Sequence, residues 1–320
     1  MTVEVHLGPD DLHEALKRDV LKGLTSEPKA LPPKWFYDEE GSRLFDLITR
    51  LPEYYQTRAE REILLSRAGE IQALAGCATL VELGSGTSEK TRILLDAMTA
   101  GARLRRFVPF DVSEQTLRDA ATDISTAYPD LHVHAVVGDF ERHLQSLPRD
   151  EPKLVAFLGG TIGNLEPRVR KAFLRDLASS MPAGDWLLLG TDLVKDVARM
   201  EAAYNDADGV TAEFNRNILR VLNSSLRAGF EPDRFDHVAR YDEREGWIEM
   251  ALRSKVDQSA RVEALDLKIG FRSGELLRTE TSAKFTRKVV ERELAAAGLT
   301  LLRWWTDAAG DFALSLSRLD

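Results

Sequence analysis

The stretch Leu80-Val81-Glu82-Leu83-Gly84-Ser85-Gly86-Thr87-Ser88 decides the fold of this chain. Its apolar residues are typical of a strand that is buried on both faces of a parallel sheet, and Glu82 adds a carboxylate near the strand's end. Gly84 and Gly86 permit a tight turn in which the backbone, without a Cβ, can lie against a ligand. Residues 90–97 follow with helical spacing. A strand, a glycine turn and a helix form the first unit of a nucleotide-type α/β site, where ligands bind beyond the carboxyl ends of the strands.

The details of this turn indicate which ligand it takes. Glu89 stands where a dinucleotide fingerprint has its third glycine, and the chain contains no G-x-x-x-x-G-K-[ST] phosphate loop. An E-x-G-x-G turn resembles the first motif of methyltransferases that use S-adenosylmethionine (SAM). SAM has no phosphate to bind, and its ammonium group can meet the Glu82 carboxylate. The alternative is a glycine turn that only connects a strand to a helix.

Composition limits the class of protein. The chain has 320 residues, 43% hydrophobic and 30% charged, which is ordinary for a globular protein. Its net charge of −9 argues against a nucleic-acid partner, because phosphate binding needs a basic surface. No apolar stretch is long enough to span a membrane, and residues 1–10 do not read as a signal peptide. Cys77 is the only cysteine, which fits a reducing cytoplasm.

Strands and helices alternate after the glycine turn. Strands are predicted at Arg106–Asp111, His132–Val137, 154–158 and Trp186–Asp192, and a helix begins near Pro167. Short connections between them predict an α/β fold with a doubly wound parallel sheet. A helix at 288–297 and strands at 299–305 and 312–316 then supply a closing antiparallel strand pair.

Two regions do not fit this alternation. Residues 238–284 have a period of two, which predicts an antiparallel meander. Near the N-terminus, Pro32-Pro33 predicts an extended segment, and Thr57 with Glu60 predicts a capping box for a helix that ends near Ala75. We therefore expect a Rossmann-like methyltransferase domain at 59–193 and 285–320, and an α+β substrate-binding domain at 7–58 and 194–284.

Polar side chains follow successive strands of the predicted sheet, where the carboxyl ends face one crevice. Asp111 lies where an acid accepts hydrogen bonds from ribose hydroxyls. Asp139 can accept a hydrogen bond from an adenine amino group, and Phe140 can stack on its ring. Asn164 and Asp192 stand at the next two strand ends. Each acid alone could be an exposed strand-end cap, but their recurrence in register favours a ligand site.

Two further pairs could carry chemistry. Glu280 and Ser282 lie two residues apart in an extended segment and so share a face, and a carboxylate beside a hydroxyl suits a neutral imidazole. On composition alone, a solvent-facing strand is the preferred interpretation of that pair. His132 and His134 have a metal-ligand spacing but no third ligand nearby, so we interpret them as ordinary strand residues.

The motifs together resemble the histidine N-alpha-methyltransferase family of ergothioneine biosynthesis, which uses SAM to make hercynine. The matching motifs extend over nearly the whole chain: L-P-P-K-W-F-Y-D, T-R-L-P-E-Y-Y, L-V-E-L-G-S-G-T-S-E-K-T-R, F-V-P-F-D-V, T-I-G-N-L, L-L-L-G-T-D-L-V-K-D, G-V-T-A-E-F-N-R-N-I-L and W-W-T-D-A-A-G-D-F-A-L-S-L. The resemblance implies trimethylation of the α-amine of L-histidine, with S-adenosyl-L-homocysteine as the second product.

The resemblance also implies a role for individual residues. Those that would hold SAM are Gly84, Ser85, Lys90, Asp111, Asp139, Phe140 and Gly159. Those that would bind histidine are Tyr54, Asn164, Tyr204, Met250, Glu280 and Ser282. Tyr37 would lie beside the reacting amine, and our hypothesis is that Tyr37 and Asn164 orient its lone pair. No residue is assigned to a metal.

Three residues depart from the family pattern: Gly160 replaces a serine, Ala251 a tryptophan and Ala283 a cysteine. Ala251 and Ala283 should point away from the faces that carry Met250 and Ser282, so the departures bear on rate and affinity more than on reaction type. We expect a cytoplasmic monomer with no nucleic-acid or membrane partner. The alternatives are an N-methyltransferase of another amino acid such as tryptophan, a SAM-binding protein without turnover and, third, a nicotinamide oxidoreductase.

Overall fold

The computed structural model describes residues 1–101 and 103–319, and its strands and helices are numbered here in chain order. The strands of this part of the chain are β1 (Thr2–Val5), β2 (Lys29–Ala30), β3 (Thr79–Leu83), β4 (Arg106–Asp111), β5 (His132–Val137), β6 (Lys153–Phe157), β7 (Trp186–Asp192), β8 (Phe235–Asp242), β9 (Trp247–Ser254), β10 (Gln258–Val262), β11 (Leu267–Phe271), β12 (Leu276–Ala283), β13 (Leu299–Thr306) and β14 (Phe312–Leu319). The α-helices are α1 (Pro9–Thr25), α2 (Glu39–Ile48), α3 (Gln56–Ala75), α4 (Thr91–Ala100), α5 (Glu114–Ala127), α6 (Pro167–Ser180), α7 (Val197–Ala202), α8 (Val210–Leu226) and α9 (Arg287–Ala296).

The chain divides into two compact units. Unit 1 consists of Met1–Leu7, Gln56–Val194 and Phe285–Asp320, and unit 2 of Gly8–Tyr55 and Lys195–Lys284. Each unit has its own hydrophobic core.

Unit 1 is built on one large sheet. Among the described residues its eight strands have the order β1-β5-β4-β3-β6-β7-β14-β13. The strands from β1 to β7 are parallel, whereas β14 runs antiparallel to both β7 and β13. The order changes direction at β3, which has β4 on one side and β6 on the other, so the residues after β3 lie at the switch point where such sheets bind ligands. The predicted α/β fold with a closing antiparallel pair is confirmed.

Burial explains why these strands form where they do. Every residue of β3, β6 and β7 is buried, because helices cover a parallel sheet on both faces. Helix α3 packs its buried stripe, which includes Ile63, Leu64 and Ile71, into the core of the unit. In residues 1–101 and 103–319, no helix combines the length and the apolar character that crossing a membrane requires.

One strand of this sheet was not expected from the sequence. Residues Thr2–Val5 extend the sheet beyond β5, and they pair in parallel from Thr2 with His134 to Val5 with Val137. The side chains on this edge include His132 and His134, whose rings stack at 6.3 Å, and His134 Nε2 lies 3.0 Å from Glu4 Oε2. Within the described residues, no group of three histidine, cysteine or acidic side chains is placed to hold a metal ion.

The structure of unit 2 differs from the antiparallel meander predicted for residues 238–284. A four-stranded sheet has the order β2-β12-β9-β8, in which β8, β9 and β12 are antiparallel and β2 is parallel to β12. The segment between β9 and β12 leaves this sheet and forms a separate hairpin, β10-β11. The expected extended segment at Pro32-Pro33 is confirmed for Pro32 only. Pro33 begins a short 3-10 helix, Pro33–Phe36, where its missing N–H costs nothing.

Candidate active site

The glycine turn of unit 1 has the conformation that its sequence predicts. Gly84 and Gly86 have φ angles of +65° and +49°, in the left-handed region that strains residues with a Cβ. The N–H groups of Gly84 and Ser85 donate to the Phe110 carbonyl oxygen at 2.8 and 3.2 Å, which fixes the turn to the neighbouring strand β4. A Cβ added at Gly86 would meet nothing within 4 Å, so this part of the turn leaves room beside the backbone.

Asp111 organises the same turn from the end of β4. Its Oδ2 accepts a hydrogen bond of 2.9 Å from the Gly86 N–H, and its Oδ1 accepts one of 3.0 Å from the Ser113 N–H. Burial raises the pKa of this carboxyl, and the backbone N–H groups oppose the rise by stabilising the ionised form. Each carboxylate oxygen has a second lone pair, so Asp111 can accept further hydrogen bonds from a diol.

Asp139 and Phe140 lie at the end of β5. Asp139 Oδ1 accepts a hydrogen bond of 2.9 Å from the Glu141 N–H, and the Asp139 N–H donates to His143 Nδ1 at 3.0 Å. The Phe140 ring lies edge-on to Phe157 at 5.2 Å. These contacts hold the carboxylate and the ring at the carboxyl edge of the sheet.

Glu60 is a member of this site that the sequence analysis missed. The predicted capping box is wrong, because α3 begins at Gln56 and places Thr57 inside the helix. The Glu60 side chain is fully buried, its Oε2 forms an ion pair with Lys90 Nζ, and its Oε1 accepts a hydrogen bond of 2.8 Å from the Gly159 N–H. Glu60 therefore joins Lys90, the residue just before α4, to the loop that follows β6.

Several buried polar atoms of unit 1 have no hydrogen-bond partner among the described residues. They include Gln56 Oε1, Ser85 Oγ and Thr191 Oγ1. These atoms belong to the start of α3, to the glycine turn and to the end of β7. Unpaired buried polar atoms are costly, so their concentration here points to a polar ligand. Burial raises the pKa of Glu82 to about 7, against the effect of a hydrogen bond from Thr91 Oγ1.

These features fit SAM. The two glycines leave the backbone accessible, Asp111 can accept from ribose hydroxyls, and the buried Glu82 carboxyl and the unpaired Ser85 hydroxyl can meet the ammonium end of an amino acid. No metal or phosphate-binding loop is required for such a ligand. The last predicted site residue in unit 1, Asn164, ends the half-buried 3-10 helix Thr161–Asn164 after β6.

In unit 2, the predicted substrate residues lie close to one another. The Tyr54 ring lies 6.4 Å from the Tyr204 ring, and Tyr204 Oη lies 2.7 Å from Ser282 Oγ. Tyr37 is 38% exposed, and its ring contacts Phe45 edge-on at 5.6 Å. Phe45 in turn contacts Tyr54 at 6.1 Å, so one aromatic cluster includes both tyrosines.

Glu280 and Ser282 are presented by β12. Glu280 is paired with Met250 of β9, and Ser282 with Ile248; the register shifts just before Glu280, between Arg278 and Glu280. The partly buried Glu280 carboxyl loses hydration, which raises its pKa to about 7, and the positive charge of Lys284 opposes that rise. A ligand that donates a hydrogen bond to this carboxyl favours its ionised form and so lowers its pKa.

Lys284 is the second residue that the sequence analysis missed. Its buried ammonium donates to Ser282 Oγ at 2.8 Å and to Tyr204 Oη at 3.0 Å, and it lies 4.5 Å from the centre of the Tyr204 ring. We call Tyr204, Ser282 and Lys284 the hydroxyl–lysine cluster. The alternation that places Glu280 and Ser282 on one face of the strand extends to residue 284, so the sequence could have indicated that Lys284 lies on the same side.

Comparison with known proteins now identifies the family. Residues 16–319 match the family described as histidine-specific methyltransferase, SAM-dependent. This chain belongs to that family. It is 57% identical over 317 residues to the histidine N-alpha-methyltransferase of Mycobacterium tuberculosis, covering 99% of each chain. It is 32% identical over 265 residues to ergothioneine biosynthesis protein 1 of Schizosaccharomyces pombe, covering 79% of this chain and 33% of that protein.

A solved structure supports the fold of this SAM-dependent methyltransferase. A SAM-dependent methyltransferase from Clostridium acetobutylicum superposes with a TM-score of 0.51 at 11% sequence identity, covering 87% of this chain and 98% of that one. At this identity the similarity concerns the fold alone. The resemblance stated from the motifs and the assignment of SAM as the cofactor are both confirmed by the family match.

Proposed function

We propose that this protein transfers three methyl groups from SAM to the α-amine of L-histidine, which yields hercynine and S-adenosyl-L-homocysteine as the first step of ergothioneine biosynthesis. The names of its relatives in Mycobacterium tuberculosis and Schizosaccharomyces pombe support this function. The structural observation that carries the proposal is Glu280, a partly buried acid with a pKa of about 7, two residues before Ser282 on β12. A carboxylate and a hydroxyl on one strand face suit the N–H and the lone pair of an imidazole.

Bound SAM supplies an electrophilic methyl group on a sulfonium. The substrate nitrogen forms the new N–C bond as the C–S bond breaks, and the electron pair of that bond stays on sulfur. The nitrogen needs a lone pair, so the substrate must lose a proton before each transfer. The quaternary product has no lone pair left, and the reaction stops there.

The residues of the chain act chiefly by positioning in this proposal, because aligned reactants avoid much of the entropic cost of their encounter. We assign Gly84, Ser85, Lys90, Asp111, Asp139, Phe140 and Gly159 to SAM. Tyr54, Asn164, Tyr204, Met250, Glu280 and Ser282 are assigned to histidine. The phenol of Tyr37 and the amide of Asn164 are assigned to orienting the amine, since both side chains can accept a hydrogen bond from it.

The assignment extends to the two units of the chain. Unit 1 contains the glycine turn and is assigned to SAM, and unit 2 contains Glu280 and the hydroxyl–lysine cluster and is assigned to the amino acid.

We further infer that the protein acts as a cytoplasmic monomer on a free amino acid. Its net charge of −9 is unfavourable for binding nucleic acid. Light scattering of the purified protein tests the monomeric state.

Mass spectrometry tests the reaction. Purified protein is incubated with SAM and with L-histidine, L-tryptophan or L-phenylalanine in separate reactions. We expect mono-, di- and trimethylated histidine together with S-adenosyl-L-homocysteine, and much less product from the other amino acids. Preferential methylation of tryptophan would replace histidine as the substrate. Binding of SAM without any methylated product would indicate a SAM-binding protein that lacks turnover.

A further inference from the structure

The hydroxyl–lysine cluster combines two hydroxyl groups with one ammonium group. All three groups can donate a hydrogen bond, but only the two hydroxyl oxygens can accept one. Lys284 Nζ lies 2.8 Å from Ser282 Oγ and 3.0 Å from Tyr204 Oη, and the two hydroxyl oxygens are 2.7 Å apart. An ammonium group only donates, so both hydroxyls accept from Lys284. The geometry therefore restricts which hydrogen bonds remain available to a ligand.

Either hydroxyl can be the donor in the bond between Tyr204 and Ser282. A phenol is a stronger acid than an alcohol, which favours Tyr204 as the donor. In that arrangement Ser282 Oγ accepts from Tyr204 and from Lys284, which occupies both lone pairs of a serine hydroxyl. Only the O–H of Ser282 remains for a ligand, and it can act only as a donor.

We infer that Lys284 is a positioning residue that sets substrate specificity, because it commits the Ser282 hydroxyl to donating a hydrogen bond to the unprotonated ring nitrogen of the substrate. This inference rests on the proposed function. Glu280, two residues earlier on β12, supplies the matching acceptor for the ring N–H. One fixed donor and one acceptor match a neutral imidazole, which has one lone pair and one N–H.

The surroundings of Lys284 keep the ammonium group in this position. The side chain is buried at 6% exposure, and Nζ lies 4.5 Å from the centre of the Tyr204 ring, within the range of a cation–π interaction. The Lys284 N–H donates to the Gly246 carbonyl oxygen at 2.9 Å, which holds the backbone just after β12. Without the ammonium, Ser282 would regain a lone pair and could rotate to accept from a ligand, and the preference for a ring lone pair would weaken.

A double-mutant cycle tests the inference. Lys284→Met removes the donor while keeping the length of the side chain, and Ser282→Ala removes the hydroxyl on which it acts. We expect each single variant to raise the KM for L-histidine about tenfold with a smaller change in kcat, which corresponds to the loss of about one hydrogen bond in substrate binding. We expect K284M/S282A to be no worse than S282A alone, because residues that act through one another are not additive.

Two variants separate positioning from stability. Lys284→Arg keeps a cationic donor and should recover most of the histidine affinity. Lys29→Met is the matched control, because Lys29 is another largely buried lysine of unit 2, which pairs with Glu275, the residue just before β12. K29M should lower thermal stability without raising the KM. If K284M does not fold, Lys284→Gln, a shorter polar side chain without the ammonium group, replaces it in the same cycle.

The results distinguish this inference from the proposed function. If K284M and S282A multiply in their effects on KM, or if K284M lowers kcat at unchanged KM, Lys284 does not act through Ser282 and the inference is wrong. Both outcomes presuppose that the wild-type protein methylates histidine. If it does not, the proposed function fails before any variant is compared.

Discussion

Glu60 Oε1 accepts a hydrogen bond of 2.8 Å from the backbone N–H of Gly159, which lies ninety-nine residues further along the chain. The second oxygen of the same carboxylate forms an ion pair with Lys90. Because Glu60 is fully buried and Lys90 is only a quarter exposed, the pair is shielded from screening by solvent. One acid thus orders two loops that are assigned to the cofactor.

Replacing Glu60 should weaken SAM binding. Glu60→Gln keeps an acceptor for Gly159 but removes the charge that holds Lys90. We expect the dissociation constant for SAM to rise about tenfold and the free energy of unfolding to fall by about 1–2 kcal/mol, since hydrogen bonds to charged groups contribute about 1.5–3 kcal/mol. Calorimetric titration and urea unfolding measure the two effects.

A second acid on the same helix provides the control for Glu60. Glu62 Oε1 accepts a hydrogen bond from the Ala308 N–H at 2.9 Å, in an exposed position. Glu62→Gln should leave SAM affinity unchanged and alter stability by about 0.5 kcal/mol or less. Equal SAM affinities for E60Q and the wild-type protein would show that Glu60 does not order the cofactor loops.

The central strands were predictable from the sequence because burial leaves a clear local signal. The bounds of β4, β5 and β7 agree with those expected, since each is an apolar run that ends near an acid or a glycine. Strand β1 was missed because Thr2–Val5 is short, lies at the edge of the sheet and is defined by pairing with β5 far along the chain. The sequence of these four residues alone does not indicate the strand with which they pair.

The candidate site shows the same division between local and distant information. The spacing of Glu280 and Ser282 is local, so the sequence predicted their common face. Glu60 was interpreted as part of a capping box because its spacing from Thr57 fits one, and the partners that determine its role, Lys90 and Gly159, are distant in sequence. Spacing alone does not show which acid is buried or which partner it contacts.

The raised pKa of Glu280 predicts a pH dependence of stability. Its pKa rises from 4.5 to about 7 in the folded protein, so between these values the folded state keeps a proton that the unfolded state has lost. The free energy of unfolding therefore falls as the pH rises through this window. Glu280→Gln removes this titrating group. We therefore expect the free energy of unfolding of E280Q, relative to that of the wild-type protein, to rise by about 1–3 kcal/mol between acidic pH and pH 7.5.

Urea unfolding of both proteins across this range measures the difference, and Glu82, which is present in both, cancels in the comparison. Glu249→Gln on the neighbouring strand is the control, because that carboxylate pairs with Arg240 at 3.1 Å on the sheet of the same unit. A constant difference between E280Q and the wild-type protein at all pH values would mean that Glu280 has the same pKa in the folded and the unfolded state, and the prediction would be wrong.

Replacing Gly160 by the serine that the family resemblance leads us to expect there should destabilise this protein. Gly160 has a φ angle of +69°, and an added Cβ would lie 3.4 Å from Phe312 Cε2. Gly160→Ser should cost about 1–3 kcal/mol, chiefly because a residue with a Cβ is strained in the left-handed region, with Phe312 limiting how far the new side chain can relax. Gly310→Ser is the matched control in unit 1, because Gly310 has a φ of +72° but nothing within 4 Å of an added Cβ. The midpoint temperature of thermal unfolding should be lower for G160S than for G310S. The reverse order would show that the Phe312 contact does not restrict a side chain at position 160.

Removing the acid at position 280 should relax the choice of substrate. Glu280→Ala leaves the ring N–H of histidine without its acceptor, and we expect kcat/KM for L-histidine to fall by about 10–200-fold, which corresponds to about 1–3 kcal/mol. The penalty for an apolar ring should fall as well, because no buried carboxylate remains to be left unpaired. Competition between L-histidine and L-tryptophan for limiting SAM measures the shift in product ratio towards methylated tryptophan. Glu249→Ala, which removes a neighbouring acid outside the proposed site, should leave that ratio unchanged. An unaltered kcat/KM for L-histidine in E280A would exclude Glu280 from substrate recognition.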